Sequence, residues 1–287
     1  MAQITAPWMG EALCDLRVEV RTGDSSPAQH PHFRAMHHLV LVRFGAANIL
    51  VMDLDRRVMT AIVSEKIAGD AAFWQAILLP ILAGIAGSSI GILPAHSACL
   101  ARDGQGLLLA GNSGAGKSTL SVAVAQRGYD YIADDWTYCS LRGKNLIACG
   151  MAAKTKLLAD AVRHFPELAG CTVARSMNGE IAYEVPPQAT FGVNVQISCE
   201  PRMLIFLQRI ENGPPRFRPL DEAHVRSYFR ANLERIPAQM EQASRNRVEL
   251  LRAVAKLPCW RFEYSGPPEI GAEHLEDFFE EHRLQWA

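Results

Sequence analysis

Residues 111–118 read Gly111-Asn-Ser-Gly-Ala-Gly-Lys-Ser118, and this octapeptide decides how the rest of the chain is read. It fits the pattern G-x-x-x-x-G-K-S/T of a phosphate-binding loop. The apolar stretch Gly106-Leu-Leu-Leu-Ala110 before it has the character of a buried strand, and Thr119-Leu-Ser-Val-Ala-Val-Ala-Gln126 after it suits a helix. Strand, loop and helix in that order are the setting the motif requires. The glycines let successive backbone N–H groups approach phosphate oxygens. Lys117 is placed to reach the β- and γ-phosphates, and the Ser118 hydroxyl to ligate Mg²⁺. The first helical turn adds the positive end of its dipole. The expected nucleotide-binding set is therefore Gly111, Asn112, Ser113, Gly114, Ala115, Gly116, Lys117, Ser118 and Thr119, with ATP and Mg²⁺ as cofactors.

Downstream, Gly128 is a natural stop for a helix over 117–127, and Tyr129-Asp-Tyr-Ile-Ala-Asp-Asp135 follows at once. A short strand that ends in two carboxylates this soon after the loop lysine brings Asp134 and Asp135 back towards the phosphates. Such a pair can divide the work, one carboxylate holding the metal and the other taking the proton of an attacking hydroxyl. Upstream, Pro94-Ala-His96-Ser-Ala-Cys-Leu100 places a histidine at the start of the strand beside the loop strand, where it is either structural or a neighbour of the Asp pair.

The stretch from His96 through Asp135 resembles HPr kinase/phosphorylase, the bacterial enzyme that phosphorylates a serine of the phosphocarrier HPr. The His96 strand, the loop, and Arg127-Gly-Tyr129 followed by Ile132-Ala-Asp-Asp135 agree with it in order and spacing. The loop with its early Asp pair is also similar to ATP-dependent phosphoenolpyruvate carboxykinase. The resemblance implies an α/β phosphate-loop kinase core and transfer of the γ-phosphoryl group of Mg-ATP to a serine hydroxyl of a protein or peptide. It implies Asp134 as general base with His96 beside it, Lys117 at the phosphates, and Ser118 and Asp135 at the metal; the two aspartates can also exchange roles. A homo-oligomer is implied in the same way. The chain departs from HPr kinase at Thr119, where that enzyme has Glu. It departs again over residues 147–156, which lack the Glu and Arg of the enzyme's second motif. The resemblance thus carries the chemistry and not HPr itself; related divergent proteins accompany peptide-modification clusters. A small-metabolite kinase and a nucleotide-sensing binding protein are the rival readings. Lys154 and Lys156 either supply charge to the site or are solvated ends of a helix over 155–164.

The remaining sequence sets boundaries. In 287 residues, one core with a smaller appendage is expected: a β-rich region over 1–93 and a kinase domain over 94–287 that ends in helices. In the first region, strands are expected at 16–20, 38–43, 48–52 and 57–63, forming an antiparallel sheet packed by a helix over 71–83; 25–32 reads as a loop. In the second, strands are expected at 96–102, 106–110, 129–133, 136–140, 145–149, 181–185, 202–208 and 259–264. Tail helices follow near 221–232, 238–256 and 272–284. Residues 71–93 lack charge and match a membrane span in length, but Pro80 and three glycines favour a buried helix followed by a loop. A net charge of −1 gives no reason to expect a nucleic-acid partner. Seven cysteines without a C-x-x-C pair, and no signal-like opening, point to reduced thiols in the cytoplasm. His30, His32, His37 and His38 lack acidic or Cys partners at zinc-like spacing. The arginines of the tail helices alternate with glutamates as on a solvated face.

Overall fold

The computed structural model describes residues 2–5, 12–23, 31–78, 81–150, 152, 154–175, 180–233 and 240–283. The chain forms a mixed α/β structure in two compact units. Met1–Leu93 with Glu234–Glu249 make the first, and Pro94–Leu233 with Leu250–Ala287 make the second. The segment Glu234–Glu249, read from sequence as part of the kinase domain, thus clusters with the first unit.

The first unit contains strands β1 (Ala2–Thr5), β2 (Ala12–Arg21), β3 (His32–Met36), β4 (Leu39–Arg43), β5 (Ile49–Asp53) and β6 (Val58–Ser64). Their order is β1-β2-β6-β5-β4-β3. The sheet is not wholly antiparallel, because β2 and β6 run parallel. Alternation sets its buried face: Val40, Val42, Leu50, Met52, Met59, Ala61 and Val63 point inward together with Phe73, Leu78, Leu82 and Ile85. Those last four come from helical turns at Ala71–Phe73, Trp74–Leu78 and Leu82–Ala86, the last two of π type, and a further turn follows at Gly87–Ser89. The turns run past the expected end at 83. Ser88 Oγ donates to Gly84 O at 2.9 Å, and Asn246 Nδ2 caps the Ser88 and Ser89 carbonyls at 3.1 and 3.0 Å. Pro80 lies outside the described residues. Among the described residues, no helix is long and apolar enough to cross a membrane. His38 does meet acidic side chains, Asp55 at 3.3 Å and Asp53 at 4.0 Å, which its sequence spacing did not disclose.

The second unit continues with β7 (Ile92–His96), β8 (Ala98–Arg102), β9 (Gln105–Ala110), β10 (Asp130–Ala133), β11 (Trp136–Arg142) and β12 (Asn145–Cys149). Then come β13 (Thr155–Leu158), β14 (Val173–Arg175), β15 (Ile181–Val185), β16 (Ser198–Arg209), β17 (Arg216–Pro219) and β18 (Cys259–Tyr264). The main sheet has the order β10-β8-β9-β16-β12-β11-β7, and β18 joins β16 and carries β17. Strands β9, β16 and β18 run parallel, so their C-terminal ends open on one edge. A separate small sheet has the order β13-β15-β14.

Strand β9 is buried from Gly106 through Ala110. Leu107 and Leu109 pack with Leu120 and Val124 of the helix Lys117–Ala125 and with Leu275 and Phe279 of the helix Pro268–Arg283. Each fully buried leucine contributes about 2 kcal/mol, so this packing anchors the loop from behind. The other tail helices are Glu222–Asn232 and Glu241–Ala255. The expected helix over 155–164 is absent. Residues Thr155–Leu158 are β13, and only Ala159–Arg163 turn, as a 3-10 helix. Pairing with β15 sets that choice, since Leu157 lies opposite Tyr183 and both enter the core. The expected strand over 96–102 is broken at Ser97, which leaves His96 at the end of β7 instead of the start of β8. Six described cysteines are free thiols, five of them buried. Burial pushes Cys139 up to about 12, as expected of a packing residue.

Gly150, just past β12, sits against the backbone of β10. A Cβ there would overlap the Ile132 carbonyl oxygen and come within 2.7 Å of the Ala133 Cβ. Neither neighbour can swing aside. Gly150→Ala is therefore expected to cost about 1–3 kcal/mol, read as a fall of several degrees in Tm. A melting temperature equal to that of the parent would show that β10 yields at this contact.

Candidate functional site

The loop over 111–116 joins the end of β9 to the helix Lys117–Ala125. Gly116 caps that helix in the left-handed region, at φ +88°. A Cβ at this position would also lie 2.6 Å from the Tyr264 hydroxyl, so both conformation and space demand glycine. The Tyr264 hydroxyl donates to Ala115 O at 3.0 Å. At the other end of the loop, Gly111 N donates to the Tyr228 hydroxyl at 3.1 Å, and that hydroxyl lies 2.9 Å from Gly111 O and 3.3 Å from His96 O. Two tyrosines from the tail thus hold both ends of the loop.

A cleft of about 530 Å³ opens over the loop. Of the residues expected at a nucleotide, Ser113, Gly114, Gly116, Lys117, Ser118 and Thr119 line it, as do His96, Asp134 and Asp135. Ala115 instead turns its side chain into the core. Gly111 and Asn112 border a second cavity. Lys117 is largely buried, and its ammonium donates to Gly111 O at 2.9 Å. Burial lowers its pKa, while the charges of Asp135 and Asp134 act against that.

The two aspartates sit in different surroundings. Asp134 Oδ2 accepts the Thr155 hydroxyl at 3.0 Å and the Lys156 backbone N–H at 2.8 Å. Tyr131 donates in turn to Thr155 Oγ at 2.9 Å, which fixes the hydroxyl's direction. Asp134 Oδ1 is buried and has no hydrogen-bond partner among the described residues. Burial pushes the Asp134 carboxyl above its ordinary value, against the hydrogen bonds from the Lys156 N–H and Thr155. Asp135 is 60% exposed and takes His96 Nε2 at 2.9 Å. Partial burial raises its pKa, but the hydrogen bond and charge of His96, with Lys117 and Lys156, leave it below the ordinary range. His96 is held on three sides: by Asp135, by Asn232 Oδ1 at 3.4 Å from Nδ1, and by Trp136 stacked at 5.3 Å. Asn232 Nδ2 donates to Tyr228 O at 2.8 Å, so its amide oxygen faces the imidazole.

The Ser118 hydroxyl and the two carboxylates are hard oxygen donors of the kind Mg²⁺ takes, and the unpartnered Asp134 Oδ1 fits that chemistry. Among the described residues, no group of three or more His, Cys, Asp or Glu is arranged to hold a metal unaided. Lys156 lines the cleft and pairs with Glu180 at 2.6 Å. It serves Asp134 through its backbone N–H, which neither sequence alternative foresaw. Sequence reasoning also missed Thr155, Tyr228, Asn232 and Arg209. Only Arg209 carried a legible signal, because it ends a buried strand parallel to the loop strand, where ligands gather.

The raised pKa of Asp134 has a consequence for stability. Below the ordinary value of 3.8, folded and unfolded chains both hold the proton and there is no penalty. As pH rises towards the native pKa, the unfolded chain holds fewer protons than the native one and stability falls. Above it the full penalty persists. Asp134→Asn keeps an oxygen for Thr155 and Lys156 but carries no charge. Its Tm should exceed that of the parent at pH 7, and the excess should shrink as pH is lowered towards about 4. A difference constant with pH would show that the buried carboxylate is not the source.

No protein-family model and no curated protein matches this chain. Among solved structures, it is similar to the HPr(Ser) kinase/phosphatase from Coxiella burnetii at 17% identity. That likeness covers 67% of this chain and 92% of the other, with a TM-score of 0.37.

Proposed function

We propose that this chain is an Mg-ATP-dependent kinase that transfers the γ-phosphoryl group to a hydroxyl, a serine of a protein or peptide. One observation carries the reading: a buried carboxylate with one oxygen fixed and the other unpartnered shares a cleft with the loop lysine and serine. Mg-ATP supplies the transferable phosphoryl group and the metal that neutralises its charge. The loop N–H groups and Lys117 hold the phosphates, with Ser118 and Asp135 on the metal. Asp134 accepts the proton of the acceptor hydroxyl as its oxygen bonds to phosphorus and the bridging oxygen leaves with ADP. The environments favour this division over its reverse. A carboxylate raised by burial is the better proton acceptor, whereas Asp135, lowered by His96, stays anionic beside a cation. His96 acts on Asp135, fixing one of its oxygens, and not on the acceptor.

The test is incubation with γ-labelled ATP, Mg²⁺ and an extract of the source cells, resolved into polypeptide, small-molecule and free-phosphate fractions. Label is expected in a discrete polypeptide. Asp134→Asn should lower it by roughly 10²–10⁴-fold, the usual worth of a general base, with nucleotide affinity nearly unchanged. Label confined to a small molecule would replace the peptide acceptor with a metabolite. ATP binding without transfer sensitive to Asp134 would overturn the kinase reading and leave a nucleotide-binding protein.

A further inference from the structure

A second cavity, of about 630 Å³, adjoins the loop at Gly111 and Asn112. Its walls are the end of β16, Arg261 of β18 and the helix Glu222–Asn232. Loop lysines of this motif reach the β- and γ-phosphates, and Lys117 Nζ lies 2.9 Å from Gly111 O. The terminal phosphate would thus sit at the Gly111 end of the loop, against this cavity. In-line transfer brings the acceptor to that end, opposite the leaving oxygen. Two wall residues also reach the candidate centre, since Tyr228 bonds Gly111 and the His96 carbonyl, and Asn232 meets the His96 ring.

The chemistry of the walls is one-sided. Among the described residues, no carboxylate lines the cavity, while Gln208, Ser227 and Asn232 offer polar groups and Phe206, His224 and Tyr228 offer rings. Arg261 lies directly across from Arg218, and only Arg218 has an acidic partner, Glu263 at 3.2 Å. Among the described residues, no hydrogen bond or ion pair engages Arg261, which is half-buried. Like charges on facing strand positions repel, and here one of them is uncompensated. A guanidinium presents paired N–H groups that match the two oxygens of a carboxylate. A single cation balances a monoanion, not a phosphate dianion.

We propose that this cavity receives the phosphoryl acceptor and that Arg261 selects one carrying a carboxylate near its hydroxyl. The proposal rests on the kinase reading above, but its test does not require transfer. Equilibrium dialysis would measure radiolabelled succinate, a bare carboxylate probe, with the loop first saturated by Mg²⁺ and the non-hydrolysable analogue AMP-PNP. Succinate is expected to bind with the nucleotide in place. Arg261→Gln should weaken it roughly tenfold to a hundredfold, the range for a charge-assisted hydrogen bond. Arg261→Lys, which keeps the charge but not the fork, should fall between. Absence of succinate binding, equal binding by Arg261→Gln, or displacement of succinate by the nucleotide would each overturn the proposal. Weakened AMP-PNP binding in Arg261→Gln would overturn it too, by assigning the cavity to the nucleoside. None of these results bears on the label-transfer assay, so the two readings fail separately.

Discussion

The carbonyl oxygens of the loop between β9 and its helix need partners, and the rest of the second unit is arranged around that demand. Gly111 O is taken by Lys117 and lies within reach of Tyr228; Ala115 O is taken by Tyr264. The two tyrosines come from opposite faces of the sheet. Tyr264 ends β18 and joins the cluster that holds the helix Lys117–Ala125, whereas Tyr228 packs edge-on against Phe206. For both to arrive together, β16 must lie beside β9 and bring β18 alongside, as the parallel register does. The loop's conformation is therefore a property of the tail as much as of its own glycines.

The same logic separates the aspartates. Two adjacent carboxylates left alone would repel and titrate together. Here β13 supplies a hydroxyl and an N–H to one oxygen of Asp134, and His96 supplies a ring N to Asp135. Each acid is steered by a different element, so adjacent positions acquire opposite pKa shifts. Beneath them Gly150 lets β12 end against Ile132 and Ala133 without a side chain between. The segment 147–156 takes part in the same arrangement. It acts through the close approach at Gly150, the Thr155 hydroxyl and the Lys156 backbone N–H.

What was legible in the sequence was local. The loop motif, the flanking strand and helix, and the Asp pair depend on residues within a short span, and their periods and glycines show it. The helix expected over 155–164 failed because Leu157, Leu158, Ala161 and Val162 fit a helical spacing, while pairing with β15 rewarded an extended chain. The parallel β2–β6 pair was hidden because alternation fixes which face is buried and not the direction of a neighbour. Tyr228 lies 117 residues from Gly111, and Asn232 lies 136 from His96. No motif spans such distances. Thr155 stands 21 residues from Asp134 and was read as a helix start, so its hydroxyl had no visible purpose.

Charge is parcelled out around the loop in a way that follows from these anchors. The cleft over the loop mixes Asp134, Asp135, Asp160 and Glu180 with Lys117, Lys156 and Arg209. Among the described residues, no carboxylate lines the cavity at Gly111 and Asn112. Asp221, the nearest acid in sequence to that helix's start, is spent as an N-cap, accepting the His224 N–H at 2.8 Å. Glu222 pairs with Arg226 along the helix, and Glu263 is committed to Arg218. These three acids thus each have a structural obligation that keeps them from Arg261. A cation left over after Asp221, Glu222 and Glu263 have been assigned is what the proposed site for an external anion requires, and the helix cap and pairings of the tail produce it.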